Sequence, residues 1–213
     1  MTGPMTMNRV IHAAVRRDLG RLESALAAAP DGDQARARQL QGAYAQLHEQ
    51  LKHHHEGEDT HVFPFLAGVG GATELVEVME SEHQTMADAL AEARTAMDAY
   101  GTTGSAADAR TAKDTIVRAN DVVERHLHHE EVELEPLLLP HLETPEWKAV
   151  EKRLRPPSLG QSGRFMAWVQ DGMGDPERSY LRSAIPVPVT FLLSRLAGRS
   201  YHRHVAPVWQ TTG

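Results

Sequence analysis

Cysteine is absent from this 213-residue chain. Disulfides, thiolate metal sites and cysteine nucleophiles are thereby excluded, and any metal chemistry falls to nitrogen and oxygen donors. Aromatic residues make up only 5% of the chain, so a core has to be built mainly from aliphatic side chains. Long apolar runs are missing as well. The longest, "IPVPVTFLL", falls far short of the ~20 residues that span a bilayer, and the opening "MTGPMTMNRV" lacks the apolar stretch of a secretory leader. These absences predict a soluble, cytoplasmic protein.

Alanine, leucine, glutamate and arginine dominate, which favours helix before residue 145, and thirteen histidines stand among them. The net charge of −7 is unevenly spread. Residues 1–144 carry 12 Lys and Arg against 24 Asp and Glu, and residues 145–213 carry 10 against 5. The chain thus divides into an acidic N-terminal part (1–144) and a basic extension (145–213). A basic segment suits nucleic acid or an anionic membrane surface, but docking on the chain's own acidic part is the simpler expectation. Nothing else points to nucleic acid.

Four stripes repeat with steps of three and four residues, the period of a buried helix face. They run Ile11, Val15, Leu19, Leu22, Leu26; Tyr44, Leu47, Leu51, His54, Glu58, Val62, Phe65; Val76, Met79, His83, Met86, Leu90, Ala93, Met97; and Ile116, Ala119, Val123, His126, Glu130, Leu134, Leu137. Breakers at "APDGD" (29–33), "GVGG" (68–71) and "YGTTGSAAD" (100–108) separate them. Short connections make neighbouring helices antiparallel, so the expected fold is all-α: an up-down-up-down four-helix bundle with a short C-terminal helical extension.

Histidine interrupts or adjoins each stripe at a comparable height. His12 and His54 are 42 residues apart and His83 and His126 are 43 apart, so each hairpin returns to nearly the same level and four imidazoles can meet in one layer. The stretches "HHHEGEDTHVFP" and "HLHHEEVELEP" repeat a device: laying His126 on His54 lays Glu130 on Glu58 and Pro136 on Pro64. Residues four apart share a helix face, so each stretch offers an imidazole and a carboxylate inward. A metal-free polar core is the plainer alternative, but burying two unpartnered glutamates costs several kcal/mol each. No Lys or Arg occupies these inward positions, which leaves a metal as the natural counter-charge. His48, His53, His61, His128, His129 and His141 are expected outward or in supporting contacts. His55, Asp59 and Glu131 each lie beside a principal ligand and could replace it or hydrogen-bond it.

His12, "HHEGE" at 54–58, "SEH" at 81–83 and "HLHHE" at 126–130 occur in the order that characterises the hemerythrin-like (HHE cation-binding) family, which the chain resembles over roughly residues 8–143. The resemblance implies two iron ions bridged by carboxylates and an oxo or hydroxo group. His12 and His54 would serve one iron, His83 and His126 the other, and Glu58 and Glu130 would bridge them. Nitrogen and oxygen donors suit iron or manganese without excluding zinc. Hemerythrin itself has a further histidine one turn after the third-helix ligand, where this chain has Ala87. With position 87 expected to face the same metal, both irons would be under-filled, an arrangement suited to activating a small oxidant. The expected function is redox chemistry or defence involving O2, peroxide or NO, with an electron donor that the sequence does not name. The alternative is a protein that binds or senses O2, NO or iron without turnover.

The extension reads as short helices broken by Gly and Pro. Trp168, Tyr180, Phe191, Tyr201 and Trp209 gather there, so it is expected to pack on the bundle, with partner or membrane docking as the alternative. His202 and His204 form a weak metal signal, "GMGD" is no phosphate loop, and no nucleophilic triad stands out.

Overall fold

The computed structural model describes residues 3–70 and 72–210. Met1, Thr2, residues 211–213 and Gly71, which ends the "GVGG" breaker, lie outside them. Among the described residues the chain is all-α, with no strand. The first hairpin joins α1 (Met7–Ala27) to α2 (Gln34–Gly57), which runs on through a π turn, Glu58–Val62, into α3 (Phe63–Val69). The second joins α4 (Thr73–Thr103) to α5 (Ala106–His129), which passes through a matching π turn, Glu130–Leu134, into α6 (Glu135–Leu138). Helix α1 touches α2 and α5, and α4 touches α2 and α5, closing a ring of four.

Polar residues at the helix starts fix the hairpins. Thr6, Asp33 and Ser105 each accept a hydrogen bond from the backbone N–H three residues on, satisfying donors that a helix start leaves free. Helix α4 continues through Gly101 and Thr103, so the sequence breaker at 100–108 contracts to Gly104 and Ser105. Gly104 ends the helix at φ +67, and a Cβ there would lie 2.8 Å from the Gln34 nitrogen; glycine alone satisfies both demands. The Gly104 carbonyl accepts from the Gly32 N–H at 2.9 Å, tying the two hairpin loops together.

The repeated sequence device is a repeated backbone device. In each π turn the bond spans five residues, Phe63 N–H to Glu58 O and Glu135 N–H to Glu130 O, and a proline follows at position 64 or 136. Proline has no N–H and crowds the carbonyl four residues back; the wider turn accommodates both. It also adds a residue to the turn, so the inward face shifts by one beyond it. This corrects the assigned stripes: Leu137 is exposed while Leu138 packs inward, and Leu66 is buried where Phe65 is only half-buried.

A large apolar cluster containing Val15, Leu51, Met86, Val123 and Leu127 lies on one side of the histidine level. A smaller one containing Val62, Phe63, Met79 and Leu134 lies on the other. The smaller cluster is completed by Trp147 and Val150 from α7 (Pro145–Leu154).

The rest of the extension comprises α8 (Leu159–Gln170), α9 (Asp175–Ala184), α10 (Val187–Leu192), a third π turn (Leu193–Ala197) and α11 (Arg199–His204). Trp168 and Tyr201 are fully buried in the large cluster. Buried Asp18 of α1 accepts from the Trp168 indole N–H at 2.8 Å and pairs with Arg17 and Arg21. Tyr201 O–H donates to Asp171 at 2.8 Å. Attachment is therefore apolar with a satisfied polar anchor, rather than the expected meeting of basic tail and acidic bundle. Arg164 pairs with Glu49 in the expected sense and Arg21 with Asp171 in the opposite one. Phe191, expected to pack inward, faces solvent.

Candidate metal centre

Each of the six ligand candidates read from the sequence is inward and nearly enclosed. His12, Glu58, His83, His126 and Glu130 are buried, and the His54 side chain is 8% exposed. They form two adjoining sets. His12 Nε2 lies 3.2 Å from His54 Nε2 and 3.1 Å from Glu130 Oε2. Across the layer, His83 Nε2 lies 3.2 Å from His126 Nε2. The two carboxylates connect the sets: Glu58 reaches His54 at 3.2 Å through Oε1 and His83 at 3.6 Å through Oε2, and Glu130 Oε2 lies 3.1 Å from His12 and 4.0 Å from His126.

Carboxylates on the outer nitrogens decide which lone pairs point inward. His12 Nδ1–H donates to Glu131 at 2.8 Å, His83 Nδ1–H to Asp59 at 2.7 Å, and His126 Nδ1–H to Glu82 at 2.9 Å. An imidazole that donates through Nδ1 presents an unprotonated Nε2 when neutral. His83 Nε2 and His126 Nε2, both turned inward in this way, face each other at 3.2 Å and repel when both are neutral unless a cation stands between them. Glu58 Oε2, Glu130 Oε2 and His55 Nε2 are buried without a hydrogen-bond partner. Orphaned acceptors converging from several helices are what a metal-ligand set looks like without its ion.

Protonation follows the same geometry. Burial, reinforced by the neighbouring imidazoles, lowers His54 to about 3 and His55 well below its ordinary value, and burial also lowers His126. Burial acts against a charged His12, but Glu130 and Glu131 outweigh it and raise that residue. Burial and then the adjacent Glu130 push Glu58 well up. Burial would raise Glu130 too, but His12, His54 and His126 together hold it down. Burial thus favours the neutral form of His54, His55 and His126, while the layer's two carboxylates differ in their hold on protons.

The geometry adds one principal residue. His55 stacks on His83 with ring centroids 4.3 Å apart, and ligand atoms of His55, Glu58, His83 and His126 all lie within 4.8 Å of one another. His12, His54 and Glu130 form the other such group. Helix α2 stands between α1 and α4, and successive helical residues point about 100° apart. His54 therefore faces α1 and His55 faces α4. Laying the two devices together puts His55 against Leu127, a difference that does not by itself say which way the imidazole faces. His55 thus adds a third imidazole to the group that contains His83 and His126. Ala87 is exposed; Met86 occupies the inward position of that turn, so position 87 does not face the site.

Supporting residues were less legible. Glu82 holds His126 and also accepts from His129 at 2.8 Å. Arg16 holds Glu131 at 2.6 Å, and the Asn8 amide donates to Glu130 Oε1 at 3.1 Å. Each lies on a neighbouring helix, so no local spacing marks it. His53 and His128 are exposed, while His202 is hydrogen-bonded to Ser194 at 3.1 Å and His204 is exposed.

The model of the hemerythrin HHE cation-binding domain matches residues 7–138. The chain belongs to this family. Comparison with curated proteins and with solved structures finds no match. Membership implies a metal-binding protein, and the donor set of the HHE layer fits: imidazole nitrogens and carboxylate oxygens in two connected groups. No helix among the described residues is long and apolar enough to cross a membrane.

Proposed function

We propose that the protein holds two iron ions, with His12 and His54 on one, His55, His83 and His126 on the other, and Glu58 and Glu130 shared, and that it reacts with O2, peroxide or NO. The observation that carries this reading is that each carboxylate lies against a histidine of both sets. Iron held by these imidazoles and carboxylates would supply electrons to a small oxidant. The protein's part is to hold and aim the donors. Glu131, Asp59 and Glu82 fix three imidazoles through Nδ1, Asn8 steadies Glu130 through Oε1, and the two apolar clusters limit water around the layer. The two-histidine set has fewer protein donors, which favours it as the place where the small ligand binds.

His55 favours a second reading, reversible binding or sensing of the same ligands, because three histidines would hold one ion and two the other. Metal analysis of protein purified without chelator should find close to two irons per chain, and Glu58→Ala should lose at least one. Full retention in that variant would sink the shared-carboxylate assignment. Catalytic consumption of peroxide or NO with an added reductant selects turnover; reversible optical changes without consumption select binding.

A further inference from the structure

The continuous helix formed by the six residues of α10 and the five of the following π turn packs Leu193 on the large cluster but turns most of its large apolar residues to solvent. Its buried residues are Thr190 and Ser194, while Val187, Val189, Phe191, Leu192 and Leu196 each stand between 44% and 58% exposed. Close contact holds that orientation. A Cβ on Gly163 of α8 would collide with Ala197, and one on Gly198 would meet the Ala167 side chain at 2.8 Å. Helix α8 therefore accepts the small face of this helix, and a half-turn rotation to bury Phe191 and Leu192 would drive large side chains into the glycine contact. The Ser194–His202 hydrogen bond, at 3.1 Å, secures the same face.

Charge is equally one-sided. From residue 178 onward the sequence has five arginines and no acid. Arg182 precedes the apolar face, Arg195 lies within it and Arg199 follows it, all exposed; with Arg203, none forms an ion pair among the described residues. Side chains this exposed form a ridge rather than a groove, which suits entry into a soft surface. A symmetric contact with a second copy would bring Arg195 of each into the interface, with no acid on this segment to answer it, and burying an unpaired charge is strongly unfavourable. Phosphate-bearing headgroups answer Arg195 at the depth where Phe191, Leu192 and Leu196 would meet acyl chains.

We propose that this ridge seats the protein on an anionic phospholipid surface, with Val187, Val189, Phe191, Leu192 and Leu196 entering the interface and Arg182, Arg195 and Arg199 against the headgroups. The attachment is peripheral. It is independent of the metal reading, because none of these residues belongs to the HHE layer.

Co-sedimentation of the full chain with vesicles tests it. Binding to equimolar phosphatidylglycerol and phosphatidylcholine should exceed binding to phosphatidylcholine alone and weaken in high salt. Phe191→Ser with Leu196→Ser should lower the partition coefficient on the order of tenfold or more. Arg195→Gln should lower it about fivefold and reduce the salt dependence. These positions are exposed, so melting and iron content should match the parent protein, which separates lost docking from lost folding. Absence of binding to the anionic vesicles overturns the proposal, as does binding that the variants leave unchanged. Concentration-dependent self-association abolished by Phe191→Ser, without vesicle binding, would assign the ridge to a second copy and overturn it as well.

Discussion

The HHE layer and α10 break the ordinary partition of side chains in opposite directions. The layer buries two carboxylates and five imidazoles between apolar clusters; α10 with its π turn buries a threonine and a serine and exposes valine, leucine and phenylalanine. In both places packing enforces the exception: outer carboxylates lock the histidines from behind, and Gly163 holds the π turn that continues α10 through Ala197 and Gly198. The difference lies in what completes each surface. The buried layer suits a compact cation that converging lone pairs can surround, whereas the exposed ridge suits a broad partner with both an apolar and an anionic face. A polar residue inside or an apolar one outside becomes informative once the fold is seen to hold it there.

Removing residues 145–213 should produce the largest change. It takes away Trp147 and Val150 from one apolar cluster and Trp168 and Tyr201 from the other, and it leaves Asp18 without its indole donor. Loss of large core residues costs about 3–5 kcal/mol apiece, so the truncated bundle should melt far lower and self-associate through the uncovered face. A monomer with unchanged melting would instead mark the extension as a loosely attached arm and break the comparison on that side.

Acid should produce the next effect, in metal-free protein. The folded state keeps His54, His55 and His126 neutral below their ordinary range, His54 down to about 3, while the unfolded chain takes up protons near pH 6.5. The unfolded state then binds more protons as pH falls through about 6.5 toward 3, so stability falls by up to about 1.4 kcal/mol per pH unit for each such group. Glu58, raised in the fold, works in the opposite direction above its ordinary value, but it is one group against three. Melting curves of metal-free protein between neutral and mildly acidic pH should show a marked drop. A flat profile would mean that the imidazoles are not held neutral.

A paired substitution sharpens the layer itself. His55→Ala removes an inward imidazole and His53→Ala an exposed one only two residues away. Metal affinity should fall on the order of 10–100-fold in the first and stay unchanged in the second, as read by competition with a chelator. Equal affinities in all three proteins would return His55 to a packing role. The smallest effect is expected from Ala87→His. The new ring points to solvent beside Met86, so metal content and spectra should match the parent; a new iron–nitrogen bond at position 87 would show that α4 turns differently.

Much of this architecture was legible because it is local or periodic. The steps of three and four marked four helices, and equal spacings of 42 and 43 residues brought His12, His54, His83 and His126 to one level. Paired His and Glu one turn apart put both carboxylates in the same layer. The two prolines, read with the repeat, marked a shared device, but nothing in the sequence revealed that the device is a π turn. The stripe therefore slipped by one residue beyond it, at Leu137 and Phe65. Glu82, Arg16 and Asn8 reach the ligands from other helices, and such cross-helix contacts have no sequence spacing of their own.

By itself the sequence determined helix, hairpin length and the inward His and Glu pairs, because the fixed rise and rotation of an α-helix convert residue number directly into height and face. Tertiary structure alone decided that His55 joins the layer, that Ala87 does not, and that Phe191 points outward. Those outcomes depend on what stands opposite each face. His54 and His55 both find imidazole partners because α2 lies between two neighbours, whereas α10 turns Phe191 and Leu192 to solvent because the π turn that continues it meets Gly163 through Ala197 and Gly198, where there is room only for small residues.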